Sequence, residues 1–288
     1  MIYLIIVSLI WAFSFGLIKG NLTNVDSNFV AFVRLLIPFF IFVPFLKIRN
    51  IRKLTLLWLI LIGAVQYGIM YVSYIYAFQF LQAYEIVLFT ILTPIYVVAI
   101  NDLINRKFHM LYYLTSLLSL LGAAIVIWKD ITSEELIFGF LLMQVSNISF
   151  AFGQVYYKKL MKNISNTKDL NVFALLYFGG FITALSFTFF TTDYTTLSLN
   201  NNELLALLYL GVIASGTGFF LWNIGARKTN AGSLAVFNNL KIPLGIIVSV
   251  LFFGEEVNIW DIVFGGLLIT LALVINEYQI YKNSSQIE

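Results

Sequence analysis

The sequence predicts an all-α integral membrane protein whose ten transmembrane helices form two inverted five-helix repeats around a central cavity. Three observations carry that prediction. Apolar windows long enough to cross a bilayer recur along the chain, basic residues sort to alternate loops, and a stretch of the first half returns in the second. Of 288 residues, 60% are hydrophobic and 11% charged, whereas soluble domains carry about 25% charged residues. Mean hydropathy is +0.92, so lipid is the expected solvent for most of the surface.

A hydrocarbon core about 30 Å thick takes about 20 helical residues at about 1.5 Å each. The first window, 2–20, has no basic leader and is followed by further spans, which reads as an anchor rather than a cleaved signal; it carries Trp11. The second, 28–46, holds Arg34. The third, 56–78, aligns Gln66, Met70 and Ser73 on one face and Tyr67, Tyr71, Tyr74 and Phe78 on another, the aromatic stripe being read first as packing. The fourth, 84–104, carries Glu85 near its start and is interrupted by Pro94. The fifth and seventh, 110–128 and 172–190, rest on length and hydropathy alone.

The sixth window, 136–157, sets Gln144, Asn147, Ala151 and Gln154 on one helical stripe between apolar faces, so that stripe looks inward. Its residues either line a cavity or hydrogen-bond neighbouring helices. The eighth, 203–224, aligns Ser215, Gly218 and Trp222. The ninth, 232–252, places Lys241 near the bilayer midplane, with Asn238, Gly245 and Ser249 on the same face and Pro243 beside it. The tenth is 259–280, where Gly265 and Gly266 suit close helix packing, as do Gly211 and Ser215 in the eighth.

Connections after the even spans hold Lys47, Arg49, Arg52, Lys53, Arg106, Lys107, Lys158, Lys159, Lys162, Lys168, Arg227 and Lys228, and the tail holds Lys282. Lys19 and Lys129 are the basic residues of the other face, which carries Asp26, Asp130, Glu134, Glu135, Asp193, Glu255, Glu256 and Asp261. The positive-inside rule then predicts a multi-pass protein of the cytoplasmic (inner) membrane with both termini in the cytoplasm. Arg34 and Lys241 are left inside spans.

The stretch from Ile62, with Gly63, Gly68 and Pro94, echoes the stretch from Leu210, with Gly211, Gly216 and Pro243. "FSFG" at 13–16 echoes "FAFG" at 150–153. A repeat of five spans is odd, so the second copy, 131–288, enters the membrane from the side opposite to the first, 1–130. Inverted repeats of this kind build secondary transporters, and helix breaks at matching prolines point to a central binding site.

"WAFSFGLIKG" at the start, "FVAFVRLLIPFFIF" in the second span, and "YLGVIASGTGFFLWNIGARKTNAGSLAVFNNLKIPLGIIVSVLFFGEEV" and "FGGLLITLALVI" near the end resemble the EamA family of the drug/metabolite transporter superfamily. The resemblance covers essentially the whole chain. It implies two EamA-like repeats, a cavity between them, and transport of amino acids, their analogues or other small metabolites, often outward. Many members read Leu-Glu-Pro where this chain reads "LKIP", which puts Lys241 where a carboxylate often stands and is reminiscent of phosphate-exchanging and nucleotide-sugar branches.

A cation at the midplane costs about 2.5–3.5 kcal/mol on insertion scales, so Lys241 is expected to face a wet cavity or a partner. As an anion post it predicts an amino acid or related carboxylate as solute, with an organic phosphate or nucleotide exchanger as the alternative. Asn238, Ser249, Asn147, Gln154, Gln66, Tyr71, Trp11, Trp222 and Ser215 are the other candidate substrate contacts. Glu85 and Arg34 lie at similar depth, as a structural ion pair or as a coupling or gating pair.

There is no cysteine and one histidine, His109, so no disulfide framework, metal centre, cofactor or catalytic residue is predicted. No ATP-binding loop of the G-x-x-x-x-G-K-[ST] type occurs, and coupling must come from an ion, a counter-solute or the solute's own gradient. Glu255, Glu256 and Asp261 would be the acids of a membrane-embedded enzyme on lipid-linked substrates, but three acids in a loop read first as solvated topology markers. Expected partners are a small-molecule substrate and the lipid bilayer, with no nucleic acid; a homodimer is compatible with the sequence.

Overall fold

A computed structural model describes residues 2–49, 51–106, 134–164, 167–195, 197–229 and 259–284, with some positions at 108–121 and 234–254. All regular structure among the described residues is helical. Among the described residues, seven helical rods are long and apolar enough to cross a membrane. The first two are α1 (Ile2–Asn21) and α2 (Ser27–Phe42), the latter extended by a 3-10 turn at Val43–Phe45.

The third rod joins α3 (Lys53–Gly63) to α4 (Met70–Ala77), and the fourth joins α5 (Ala83–Phe89) to α6 (Thr93–Asn105). The next two are α7 (Glu134–Asn163) and α8 (Phe173–Thr191). In the seventh, α9 (Asn201–Tyr209) runs into α10 (Gly218–Lys228). A further helix, α11 (Ile259–Ser284), stands where the tenth span is expected. The fifth and ninth windows fall largely outside the described residues, as do Lys241, Pro243, Ser249, His109, Glu255 and Glu256.

Several rods outrun their apolar windows, because hydropathy marks only the hydrocarbon part while the helix continues to a polar cap. Asn200 shows this: its side chain accepts from Glu203 N at 3.0 Å and its own N–H donates to Glu203 Oε2 at 2.7 Å, a capping box that satisfies two backbone donors at the start of α9. The outer surface is apolar, with Phe40, Leu54, Leu205 and Phe190 exposed, a surface suited to acyl chains and not to water.

Three rods are interrupted. The hydrogen-bond ladder widens to a π-helix over Ala64–Ile69, between α3 and α4, and again over Leu210–Thr217, between α9 and α10. The register that pairs Gly63 with Gly211 and Gly68 with Gly216 lays one π segment upon the other. In the fourth rod a 3-10 turn at Thr90–Leu92 stands just ahead of Pro94. Proline has no N–H for the carbonyl one turn back and its ring crowds that carbonyl; Thr93 N–H takes the Thr90 carbonyl instead.

Helix α8 is the packing hub of the third rod, and glycine is what lets it approach. A Cβ at Gly63 would lie 1.9 Å from Leu176 O, and one at Gly179 would lie 1.9 Å from Ile60 O. Phenylalanines close the α2 side, with Phe39 and Phe181 rings 4.9 Å apart. At one end of the molecule Lys47 N donates to Asn171 O at 2.9 Å, Arg227 pairs with Asp169 at 2.6 Å, and Lys158 Nζ donates to Thr229 O. These bonds tie together the connections that follow the second, sixth and eighth spans. At the other end Lys19 Nζ donates to Leu81 O at 3.0 Å and Thr192 Oγ1 to Asp26 Oδ1 at 2.6 Å, tying the connections after the first, third and seventh.

Candidate functional site

Asp26 starts α2 by accepting from Phe29 N at 2.8 Å, and the helix then carries Arg34 into the interior, where it is 2% exposed. A cation so placed must be solvated by the protein. Arg34 Nη2 donates to Tyr71 OH at 2.7 Å and Nε to Ser215 Oγ at 3.3 Å, while Tyr71 OH and Ser215 Oγ are 2.8 Å apart. The guanidinium also stands 4.4 Å from the Tyr71 ring centroid, a cation–π distance. Arg34 Nη1 is buried and has no hydrogen-bond partner.

The expected Arg34–Glu85 ion pair is not formed. Glu85 lies in the first turn of α5, where its Oε2 accepts from Gln82 N at 2.7 Å, satisfying a donor that the start of a helix leaves without an intrahelical partner. Arg34 is solvated by hydroxyls and an aromatic face.

The π segment at Leu210–Thr217 supplies the other half of this arrangement. Trp11 Nε1 donates to Ala214 O at 2.9 Å, and Tyr177 OH donates to Ser215 O and Gly216 O at 2.7 and 2.8 Å. Side chains from α1 and α8 thereby hold the widened turn that presents Ser215 to Arg34. π turns of this kind are often found at functional sites.

Arg34, Tyr71 and Tyr74 open onto a cavity whose other walls are Trp11, Asn147 and Phe219. The space open to water centres is about 60 Å³, enough for a few waters at about 10–15 Å³ each. An organic solute therefore needs the walls to part. Ser14, Thr90 and Ser146 add hydroxyls to the lining. Asn147 is fully engaged: its Oδ1 accepts from Thr93 Oγ1 at 3.1 Å and its Nδ2 donates to Phe89 O at 2.8 Å. That carbonyl belongs to the interrupted fourth rod, so Asn147 fastens the break.

Below the cavity lies an aromatic floor in which the Trp11 ring is 4.9 Å from Trp222, 5.0 Å from Phe219 and 5.8 Å from Phe150. Under it a second polar cluster is completely buried. Gln154 Oε1 accepts from Trp222 Nε1 at 3.2 Å and from Asn238 Nδ2 at 3.3 Å. Gln66 Nε2 donates to Asn223 Oδ1 at 3.1 Å, and Asn223 Nδ2 to Tyr67 OH at 2.8 Å.

Thus Trp11, Arg34, Tyr71 and Asn147 face one cavity and Ser215 backs it, while Trp222, Gln154 and Asn238 form a separate cluster with Gln66 beside it. Lys241, Ser249 and Pro243 lie outside the described residues. Tyr177 and Asn223 were not singled out from the sequence, and Tyr74 was read there as part of a packing stripe; Tyr177 stands amid the apolar residues of α8, and that isolation was its one available signal.

The chain matches the EamA-like transporter family over residues 1–128 and 137–277. A "Probable biotin transporter" of Pseudomonas aeruginosa is 36% identical over 276 residues, covering 95% of this chain and 96% of that one. A "Biotin transporter" of Escherichia coli K12 is 35% identical over 288 residues, covering 99% of this chain and 96% of that one. A crystal structure of a protein 14% identical superimposes with a TM-score of 0.72 over 96% of this chain and 95% of the other, which shows a shared fold. Its relatives are transporters, and the reading as a membrane-embedded enzyme falls away. The chain is a multi-pass membrane transporter and belongs to the EamA-like transporter family of the drug/metabolite transporter superfamily.

Proposed function

We propose that this protein carries biotin, or a solute built like it, across the inner membrane, and that Arg34 receives the solute's carboxylate. The observation that carries this reading is the Nη1 of Arg34: a donor on a permanent cation, buried at the wall of a cavity, with no hydrogen-bond partner. A carboxylate satisfies such a donor with a charge-assisted bond, about twice as strong as a neutral one. Biotin ends in a single carboxylate, and the alkyl chain and sulfur-containing ring behind it are apolar and suited to the walls of Trp11, Tyr74 and Phe219. Names of relatives replace the amino acid expected from Lys241 with this ring-bearing monocarboxylate. Among the described residues that line the cavity Arg34 is the one charged side chain, which matches a monocarboxylate in charge.

The reading includes ten spans in two inverted repeats around that cavity, with cytoplasmic termini. The paired π segments and the sorting of connections to two ends support it. A secondary transporter is reversible, so direction follows the gradients of solute and coupling species. Labelled biotin uptake into proteoliposomes tests the proposal. Arg34→Gln is expected to lower uptake at sub-saturating biotin about 30-fold or more, as losing one side of a desolvated charged pair costs about 2–5 kcal/mol. Wild-type uptake in that variant, or saturable uptake of amino acids instead of biotin by the wild type, overturns it.

A further inference from the structure

We infer that Gln154 and Asn238 form a second recognition point, a donor–acceptor pair for a cyclic urea or similar planar amide on the solute, on the far side of the aromatic floor from Arg34. The inference rests on the carboxylate reading above. Both side chains are 0% exposed. Gln154 Nε2 and Asn238 Oδ1 have no hydrogen-bond partner, an arrangement that costs stability unless something completes it.

The orientations are dictated by neighbours. Trp222 Nε1 can only donate, so Gln154 must turn Oε1 toward it at 3.2 Å and leave Nε2 over; the flipped amide would set two donors against each other. Asn238 Nδ2 donates to Leu234 O at 2.9 Å and to Gln154 Oε1 at 3.3 Å, which leaves Oδ1 over. The two amides thus offer one spare donor and one spare acceptor. A ring urea carries a complementary edge: its carbonyl accepts from Gln154 Nε2 while an adjacent N–H donates to Asn238 Oδ1.

The pair is also reachable by a defined movement. Gln154 lies one helical turn beyond Phe150 on α7, and Phe150 lines the cavity. Trp222 belongs to the floor and is at the same time the partner of Gln154. Displacing the floor therefore loosens the amide cluster in the same step, so the urea is received where the wall opens.

Binding to purified protein in lipid nanodiscs tests this with two probes. Biotin methyl ester keeps the urea and has no anion; 5-cyclopentylpentanoate keeps the anion and has an apolar ring in place of the urea. Wild type is expected to bind both. Gln154→Met and Asn238→Leu are each expected to weaken the ester about tenfold, the loss of one buried hydrogen bond, and to leave the carboxylate probe unchanged at a temperature where wild type and variants are all folded, since Gln154→Met also takes the acceptor from Trp222 Nε1. Arg34→Gln is expected to do the reverse. An ester that binds the wild type and both variants equally, or fails to bind the wild type, overturns the amide pair. If Arg34→Gln retains the carboxylate probe, the Arg34 assignment fails while a weakened ester in Gln154→Met still upholds the pair.

Discussion

In Gly63→Ala the added methyl carbon would sit 1.9 Å from the carbonyl oxygen of Leu176 on α8, where 3.0 Å is a separation that real contacts essentially never undercut. The obstacle is backbone, so no rotamer change relieves it. The third rod and α8 must separate by about 1 Å, and a gap of about 0.5–1 Å forfeits a quarter to a half of each dispersion well of about 0.1–0.2 kcal/mol. Over on the order of fifty atom pairs that amounts to about 1–5 kcal/mol, in line with the usual overpacking cost of about 1–3 kcal/mol. Thermal unfolding in detergent should show a midpoint lowered by on the order of 5 °C. Gly216→Ala is the milder comparison, because the nearest atom to its new carbon is Gly211 O at 3.2 Å, a contact relieved by a shift of a few tenths of an ångström. Gly179→Ala lies on the facing helix, 1.9 Å from Ile60 O. Once the first methyl has parted the helices the second has less to displace, so the double variant should lose less than the sum of the two. Equal midpoints for wild type, Gly63→Ala and Gly216→Ala would refute the account of the interface.

Tyr177→Phe removes the hydroxyl that donates to Ser215 O and Gly216 O; a loss of about 1–2 kcal/mol in stability and a raised KM for biotin uptake, through displacement of Ser215 from Arg34, are expected from melting and transport assays. Arg227→Ala breaks the 2.6 Å pair with Asp169, whose other oxygen accepts from Tyr157 OH at 2.6 Å. Both partners are partly exposed, so the expected cost is about 1 kcal/mol and smaller at high salt, read as a salt-dependent melting difference from wild type.

Much of the frame was readable from pattern. The charges of Lys47, Lys158 and Arg227 marked connections that the structure gathers at one end, and the stripe of Asn147, Ala151 and Gln154 turned inward because its polar residues recur at helical period on an apolar rod. Arg34 and Glu85 were paired on depth alone. Depth along the bilayer normal says nothing about the direction in which a side chain points around its own helix, and Glu85 was claimed by the amide at Gln82. The π segments were not legible, since no residue type marks the change from an α to a π ladder; only the paired glycines flanking and within them hinted that these stretches were alike. The orphaned atoms of Gln154 and Asn238 depend on the bonds of Gln154 to Trp222 and to Asn238, contacts that join residues far apart in the chain.

The π segment at Leu210–Thr217 sets the angular phase of the rest of its rod. Each residue of an α-helix turns the chain by about 100°, and a π turn takes up one extra residue before the ladder resumes. Trp222 and Asn223 meet Gln154 and Gln66 only because that extra residue has been absorbed upstream of them. Shorten the segment by one residue and α10 keeps its length and its apolar surface, yet its indole and amide swing toward other neighbours. The floor of the cavity is thus held in register by a count of residues rather than by their identity.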